Sequence, residues 1–454
     1  MTSTGLRHDN VKASIYWRET EDVEVGPPLQ GSRRADLCIV GGGYTAMWAA
    51  VQLKQAQPDL DIVICEADYA GAGASGHNDG YVTPTIGHSL HSLIRRFGPD
   101  AAARAYAAVG RSITEIARFC SRNGIDAEIE RAGFYLVASN AAQQRRLEHD
   151  RKLAQRLGSR SVPTIHYAAD AREIIGSPAV HAAMPSGGAL INPHKLARGL
   201  ARVVAESGVS IYEQTTVRGV RPEGDGFLVT CDRGSVRTDQ VLLATNAYQQ
   251  QFQPFRRALL PVWSYALVTQ PLTDSQLARV HWPNREGFVE GRNFILFGRL
   301  TADNRVLFGG GKAPYFLRRS MDLGHIRRQD VERQLRASFL RYFPFWDDVQ
   351  IANSYGGCIA VTRDLVPHVG RQPSGVLHAY GYCGNGIAVT HTVGKVLRDL
   401  VLRRDTDYSR LLFVNNPKER KFPPEPLAWG GAKGLSSFLM LQDRYPDVLR
   451  VPFV

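Results

Sequence analysis

Gly41-Gly42-Gly43-Tyr44-Thr45-Ala46 has the spacing of a phosphate cradle, G-x-G-x-x-A, and Glu66 follows 25 residues after Gly41. The apolar run at 37–40 reads as a short buried strand. Tyr44 and Thr45 open a helix running to about residue 55, and 61–66 reads as the next strand, ending in an acid. Gly41 permits the tight turn, Gly43 lets the backbone approach a pyrophosphate, and Ala46 keeps helix and sheet close. The helix N-terminus offers N–H groups and a positive dipole end to the phosphates. Glu66 is placed to accept hydrogen bonds from ribose hydroxyls. A bare glycine pattern is weak, but strand, helix and closing acid in this order predict a dinucleotide-binding βαβ unit.

Three further segments could bring groups to the same ligand. The run 71–80, Gly-Ala-Gly-Ala-Ser-Gly-His-Asn-Asp-Gly, is either a mobile surface loop or a backbone passing over a bound cofactor. A buried strand at 240–246 ends in Ala244, Thr245 and Asn246, where ligands meet an α/β sheet. A strand at 376–380, a glycine loop at 381–386 and a helix to about 402 repeat the strand–glycine–helix logic.

The remaining elements must carry these segments. Residues 98–122 and a strongly charged stretch at 141–157, ended by Gly158, read as helices, the second as a solvated surface element. Asn192-Pro193 opens a helix with Asn as N-cap and Pro in the first turn, closed before Gly208. Strands are expected at 209–220 and 226–231, then alternating with one polar helix (327–339) through 251–350. The last 50 residues, marked by proline and aromatics with little periodicity, read as a tail wrapping the body.

Composition excludes several classes. The chain has 454 residues, 44% hydrophobic and 22% charged, which predicts two or three domains at roughly 100–200 residues each. Its net charge of +12 comes from 55 Lys plus Arg against 43 Asp plus Glu. Only nine of the 55 are lysine. No basic run reaches the length of a nucleic-acid patch, so nucleic acid is not an expected partner, whereas an anionic ligand is compatible. Cys38, Cys65, Cys120, Cys231, Cys358 and Cys383 form no CxxC and no metal spacing, so no metal is expected and a reducing cytoplasm fits. The N-terminus lacks a charged stretch followed by an apolar one, and three glycines interrupt the most apolar window, 37–53. Neither a signal peptide nor membrane insertion is expected. His88, His166, His194, His368 and His391 are isolated and read as structural.

Taken in order, IVGGGYTAMWAA, VICEADYAGAGASGHNDG, GGALINPHKLARGLA, LLATNAY, FGRLTADNRVLFGGG, YGGCIAVTRDLVPHVGR and HAYGYCGNGIAVTHTVGKVL resemble a known family. It is the FAD-dependent amine and amino-acid oxidases of the D-amino-acid oxidase (DAO) superfamily. Residues 14–17 and 422–429 are similar to its gamma-glutamylputrescine oxidase-like branch. The resemblance implies an α/β fold. A glutathione-reductase-type Rossmann FAD-binding domain would comprise 1–88, 183–250 and 351–405. A second, mostly antiparallel-sheet substrate domain would comprise 89–182 and 251–350, with 406–454 as a C-terminal tail packing on the body.

It also implies FAD in extended form. Gly41, Gly43 and Ala46 would lie at the pyrophosphate and Glu66 at the ribose. Ala74, Ser75, Gly76, His77 and Asn78 would run beside the ribityl chain and ring system, and Val217 would meet adenine. Ala244, Thr245 and Asn246 would approach from the third strand, while Gly384, Asn385, Gly386 and Ile387 would turn a helix N-terminus towards the pyrimidine edge, where reduction places negative charge.

Where this branch carries Arg after GASG, the chain has His77. In related dimethylglycine dehydrogenases a matching His is bonded to the flavin. A covalent histidyl-FAD, a His packed beside the flavin, and a substrate-binding His are the three readings. Cys358 falls near the flavin-bonding Cys of monomeric sarcosine oxidase, and a core thiol is the preferred reading. Arg299 would face the substrate and either clamp an anionic group or pair on its strand. Lys312, following the triple glycine, would assist oxygen reduction as a positive charge, although its spacing does not match that of the family's oxygen-activating lysine.

The implied activity is oxidation of a primary or secondary amine, an amino acid or polyamine derivative. Hydride passes to flavin N5, and the imine hydrolyses to aldehyde or ketone plus amine or ammonia. O2 is the expected acceptor, giving H2O2. A dehydrogenase with another acceptor and an oxidase of a modified tRNA nucleoside are the alternatives.

Overall fold

The computed structural model describes residues 11–87, 90–156, 162–416 and 420–445; His88 and Gly158 lie outside them. Among the described residues the strands form two eight-stranded sheets and one two-stranded ribbon. The first sheet runs His368–Arg371, Leu377–Tyr380, Gly234–Leu243, Gly31–Val40, Ile62–Cys65, Ser210–Tyr212. From Leu377–Tyr380 onward its neighbours are parallel. Gly226–Cys231 and Val217–Glu223 extend antiparallel from Gly234–Leu243.

The strands at its centre are apolar on both faces because both faces are covered. Leu37, Ile39, Ile62, Ile64 and Leu242 pack under the helices Tyr44–Ala56, Pro193–Glu206, Gly386–Val401 and Pro99–Arg122. Their alternates Cys38, Val40, Val63, Val241 and Leu243 pack with Val217, Val229 and Val236. The helices Tyr44–Ala56 and Gly386–Val401 meet closely at Gly394, where a Cβ would lie 2.9 Å from the Trp48 carbonyl carbon. Asn192 caps its helix, its side chain accepting from the N–H groups of His194 and Lys195 at 3.1 Å each.

The second sheet runs Ile351–Thr362, Leu259–Thr269, Val306–Gly310, Leu296–Leu300, Gly287–Glu290, Phe134–Ala138, Ala182–Gly187, His166–Tyr167. Every neighbouring pair is antiparallel except Gly287–Glu290 with Phe134–Ala138. One face carries Tyr265, Leu267, Leu296, Val306 and Phe308 into an aromatic core with Phe339, Tyr342, Phe343 and Trp346 from the helix Gln329–Tyr342 and the turn after it. The alternates Ala266, Val268, Phe297 and Leu307 form a separate cluster with Ile15, Trp17 and Tyr355.

The architecture is the expected Rossmann unit joined to a mostly antiparallel sheet. Two strands join a different sheet from the one their expected boundaries imply. Ile351–Thr362 pairs with Leu259–Thr269 along its length, and Ala182–Gly187 pairs with Phe134–Ala138; both belong to the second sheet. An apolar strand fits either sheet, and pairing with distant partners decides.

Two other expectations are corrected. The segment after residue 406 includes an 18-residue helix, Leu427–Arg444, which its glycines Gly430, Gly431 and Gly434 conceal by lowering helix propensity. Asp443 anchors its far end, accepting from the N–H groups of Asn293 (2.9 Å) and Phe294 (3.1 Å). The charged helix Ala141–Arg156 is not simply solvated. Gln143 and Leu147 are buried, and Ala142, Arg145, Arg146 and His149 line a cavity.

Candidate active site

A cavity of about 2590 Å³ opens between the carboxyl ends of the first sheet and the cavity-facing side of the second. That is more than twice the ~1,000 Å³ at the upper end of ordinary small-ligand pockets, so it can hold an extended cofactor with a second molecule beside it.

Its first end is the cradle. Gly41 turns with φ +99°, and a Cβ there would lie 3.0 Å from the Ala244 carbonyl oxygen and 3.1 Å from Thr245 Cγ2. A Cβ on Gly43 would lie 3.0 Å from Ser75 Oγ, which accepts from Tyr44 N–H at 2.9 Å. Glu66 Oε2 accepts from Gly42 N–H at 2.6 Å and Oε1 from Asp68 N–H at 3.0 Å. Burial pushes its carboxyl pKa up, while the two N–H groups, Asp68 first, pull it down. The first turn of the opening helix and a carboxylate thus face one space from which side chains are excluded. Those are the groups a dinucleotide pyrophosphate and ribose require.

Most of the expected residues meet here. Gly41, Gly43, Tyr44, Thr45, Glu66, Ala74, Ser75, His77, Asn78, Val217, Ala244, Thr245, Asn246, Gly384, Asn385, Gly386 and Ile387 all line the cavity. Cross-links hold the segments in place. The hydroxyls of Thr45 and Tyr382 hydrogen-bond at 2.7 Å, and Asn246 Oδ1 accepts from Gly381 N–H at 3.0 Å. Asn385 Oδ1 accepts from the hydroxyls of Thr83 (3.1 Å) and Thr85 (2.8 Å).

Ala46 and Gly76 do not line the cavity. Ala46 is fully buried between helix and sheet. A Cβ on Gly76 would lie 2.6 Å from the Gly71 carbonyl oxygen, so that glycine serves the fold of the run 71–80. The run is no surface loop; it contains the short helix Ala74–His77, with Asn78 Nδ2 donating to the carbonyls of Ala74 and Ser75.

A model of the DAO family, FAD dependent oxidoreductase, matches residues 36–400. The chain belongs to the DAO family of FAD-dependent oxidoreductases. Gamma-glutamylputrescine oxidoreductase of Escherichia coli (strain K12) is 30% identical over 382 residues, 84% of this chain and 86% of that protein. A probable oxidoreductase, OrdL, of Rhizobium meliloti (strain 1021) is 28% identical over 439 residues, covering 95% and 96%. In fold, the crystal structure of glycine oxidase from Geobacillus kaustophilus superposes with a TM-score of 0.70 at 20% identity, over 82% of this chain and 96% of that one.

In this DAO-family chain His77 lines the cavity, and its Nε2 accepts from Arg18 Nε at 3.2 Å. A guanidinium can only donate, so the imidazole proton sits on Nδ1. Burial, then the charges of Arg18 and His194, lower its pKa to about 3, which leaves the ring neutral. Cys358 also lines the cavity, but burial pushes its thiol up to about 12, where it is a poor nucleophile. Lys312 lines the cavity and pairs with Asp330 at 3.6 Å.

Arg299 is not where an anion clamp would have to be. It is 1% exposed and absent from the cavity wall, donating to the carbonyls of Ile191 (2.7 Å) and Leu300 (3.3 Å) with its guanidinium 5.6 Å from the Trp17 ring. Phe297, two residues earlier on the same strand face, does line the cavity; Arg299 lies beyond its end, beneath Trp17 and the Ile191 carbonyl.

Sequence reasoning missed three parts of the wall. They are Asp79, the aromatic pair Tyr81 and Tyr355, and the C-terminal helix, which contributes Leu427, Leu435 and Leu439. The only local signal for Asp79 is its place two residues after His77. No group of three or more His, Cys, Asp or Glu among the described residues could hold a metal ion, and none of the described helices is long and apolar enough to cross a membrane. None of the six cysteines is in a disulfide.

Proposed function

We propose that this protein oxidises the CH–NH or CH–NH2 group of a primary or secondary amine, an amino acid or polyamine derivative. The observation that carries the reading is the continuity of one cavity. The cradle for the dinucleotide opens directly into a chamber walled by Ile15, Tyr81, Phe134, Ala266, Phe297 and Tyr355. The names of the relatives, gamma-glutamylputrescine oxidoreductase and glycine oxidase, agree with amine chemistry.

Bound FAD supplies a two-electron acceptor for a hydride from the carbon next to nitrogen. The chain does the rest. Glu66, the first turn of Tyr44–Ala56 and the loop 381–386 hold the cofactor. The aromatic wall excludes water and presents the α-carbon in one orientation. Neutral His77, fixed by Arg18, offers Nδ1–H to the cavity without adding charge. After release the imine hydrolyses to aldehyde or ketone plus amine or ammonia. O2 is the proposed acceptor, giving H2O2, and a cytoplasmic location agrees with six unpaired cysteines.

We take the flavin as dissociable, because His77 Nε2 is engaged by Arg18 and Nδ1 carries the ring proton. Yellow colour kept by acid-precipitated protein would instead establish a bond through His77 or Cys358. The test of the function is anaerobic addition of an amine panel, followed by air. Bleaching by one class and recovery with peroxide is expected. Bleaching that only a dye reverses makes the protein a dehydrogenase, and bleaching by no small amine refutes the reading and turns to the modified tRNA nucleoside.

A further inference from the structure

Asp79 is an ionisable group on the cavity wall that nothing above employs. It follows Asn78 and precedes Gly80, a position with φ +79° where a Cβ would lie 2.2 Å from the Ile191 carbonyl oxygen and 2.5 Å from Arg299 NH1. The chain is therefore pressed against Arg299 at this point, and Asp79 lines the cavity beside it. Among the described residues Asp79 makes no hydrogen bond or ion pair.

The other acids of the wall are provided for. Glu66 accepts two N–H groups, Asp68 pairs with Arg18 at 3.7 Å, and Asp150 lies among His149, His91 and Arg146. The groups that sense Asp79 are Arg299 on the strand Leu296–Leu300, Tyr81 on the ribbon Tyr81–Val82, and Tyr355 on Ile351–Thr362. On its own segment the nearest titratable side chain is His77, which is neutral. Tyr355 lines the cavity too, and its buried hydroxyl has no partner. Arg299, which also feels Glu130 and Glu128, pulls the Asp79 carboxyl down without forming an ion pair with it.

An unpaired carboxylate in an apolar chamber is costly unless a ligand completes it. Asp79 shares this cavity with the apolar side chains of Ile15, Phe134, Ala266 and Phe297, and the buried Tyr355 hydroxyl behind the wall is likewise unpaired. What fits beside the carboxylate is a small cation.

We propose that Asp79 binds the substrate's ammonium and takes its proton, delivering the free base that oxidation requires. This rests on the amine reading above. An ammonium nitrogen has no lone pair to stabilise a cation forming on the adjacent carbon, so the proton must leave before the hydride. In the proposed step one N–H bond of the ammonium breaks and one O–H bond forms on Asp79. No electrons are exchanged in it. The C–H bond then yields its electron pair to the flavin acceptor, and Asp79 returns its proton to solvent as the product leaves. Burial pushes the Asp79 carboxyl up to about 7, against the pull of Arg299, which suits a base working near neutrality.

The holoenzyme tests this in two ways. The first is the rate of anaerobic flavin bleaching at limiting amine, across pH 5.5 to 9.5, in the wild type and in Asp79→Asn. The wild-type rate should rise through about pH 7 and then level. In Asp79→Asn the step near 7 should vanish, leaving a rate about 10²-fold lower at pH 8 that climbs with the amine's own free-base fraction. The second uses the wild type alone, so that a variant failing to fold does not matter. Tetramethylammonium, a fixed charge with no proton to give, should perturb the flavin spectrum with a Kd that tightens up to pH 7 and is constant above. An unchanged pH profile in Asp79→Asn, or cation binding independent of pH across 7, overturns the role of Asp79. Failure of every amine to bleach the wild type defeats the proposed function instead, and the tetramethylammonium titration still decides whether Asp79 binds cations.

Discussion

Replacing Gly41 with alanine tests whether the cradle is a backbone-built site. The φ of +99° at Gly41 costs an L-residue about 1–2 kcal/mol. The added Cβ would also stand 3.0 Å from the Ala244 carbonyl oxygen and 3.1 Å from Thr245 Cγ2. Both neighbours are cavity-lining and held from behind, Thr245 through its hydrogen bond to Gln249 at 2.9 Å. Relieving that contact moves the loop that FAD must meet, at an overpacking cost of about 1–3 kcal/mol. A combined loss near 3 kcal/mol corresponds to a factor of about 150 if it falls entirely on FAD binding. Strain kept in the apoprotein appears instead as a lower Tm. The assay is therefore paired: FAD Kd by flavin fluorescence quenching, and apoprotein Tm. Gly430→Ala is the control. It sits in the C-terminal helix with a helical φ and nothing within 4 Å of its Cβ, so alanine should stabilise by about 0.5–1 kcal/mol and leave FAD binding unchanged. Gly41→Ala binding FAD as tightly as wild type, with the same Tm, would refute the reasoning.

Other outcomes follow from the same contacts. Glu66→Gln leaves one acceptor oxygen for two backbone N–H groups; orphaning one costs about 1–3 kcal/mol, and FAD Kd should rise at least about tenfold. Asp443→Ala frees the N–H groups of Asn293 and Phe294 and unpins the C-terminal helix, so limited proteolysis should cut within 427–444 well before it does in the wild type. Burial depresses the pKa of His77 and His378 to about 3 and of His194 and His391 to about 4. Unfolded histidines bind protons below about 6.5 that these folded ones refuse, so stability should fall as pH drops from 7 towards 4. Asp79, Glu21, Glu66, Glu130 and Asp150 are raised by burial and act in the opposite sense, while Glu290, Asp303, Glu332 and Asp364, held low by their partners, act with the histidines. A Tm equal at pH 7.5 and 5 would contradict this balance.

The cradle was legible because its logic is local. Glycine spacing, helix start and Glu66 lie within one βαβ unit, and each residue's role follows from neighbours less than 30 positions away. The positions that misled depend on distant partners. Ile351–Thr362 is as apolar as a Rossmann strand, and only its pairing with Leu259–Thr269 puts it in the second sheet. Arg299 shares a strand face with Phe297, yet Trp17 and Ile191, from elsewhere in the chain, close over it. The C-terminal helix carries Leu427, Leu435 and Leu439 at helical spacing, but its glycines argue locally against a helix, and anchors at Asn293 and Phe294 hold its far end. Asp79 is one acid in a polar run until Tyr81, Tyr355 and Arg299 are brought around it.

The central claim is that one cavity holds FAD and an amine together. Its most direct measurement is the visible spectrum of the purified holoprotein under argon as amines, amino acids and polyamine derivatives are added in turn. A flavin spectrum bleached by one class, with one imine-derived aldehyde or ketone formed per flavin, is the predicted result. A protein that takes up no added FAD, or whose bound flavin no amine reduces, would contradict it.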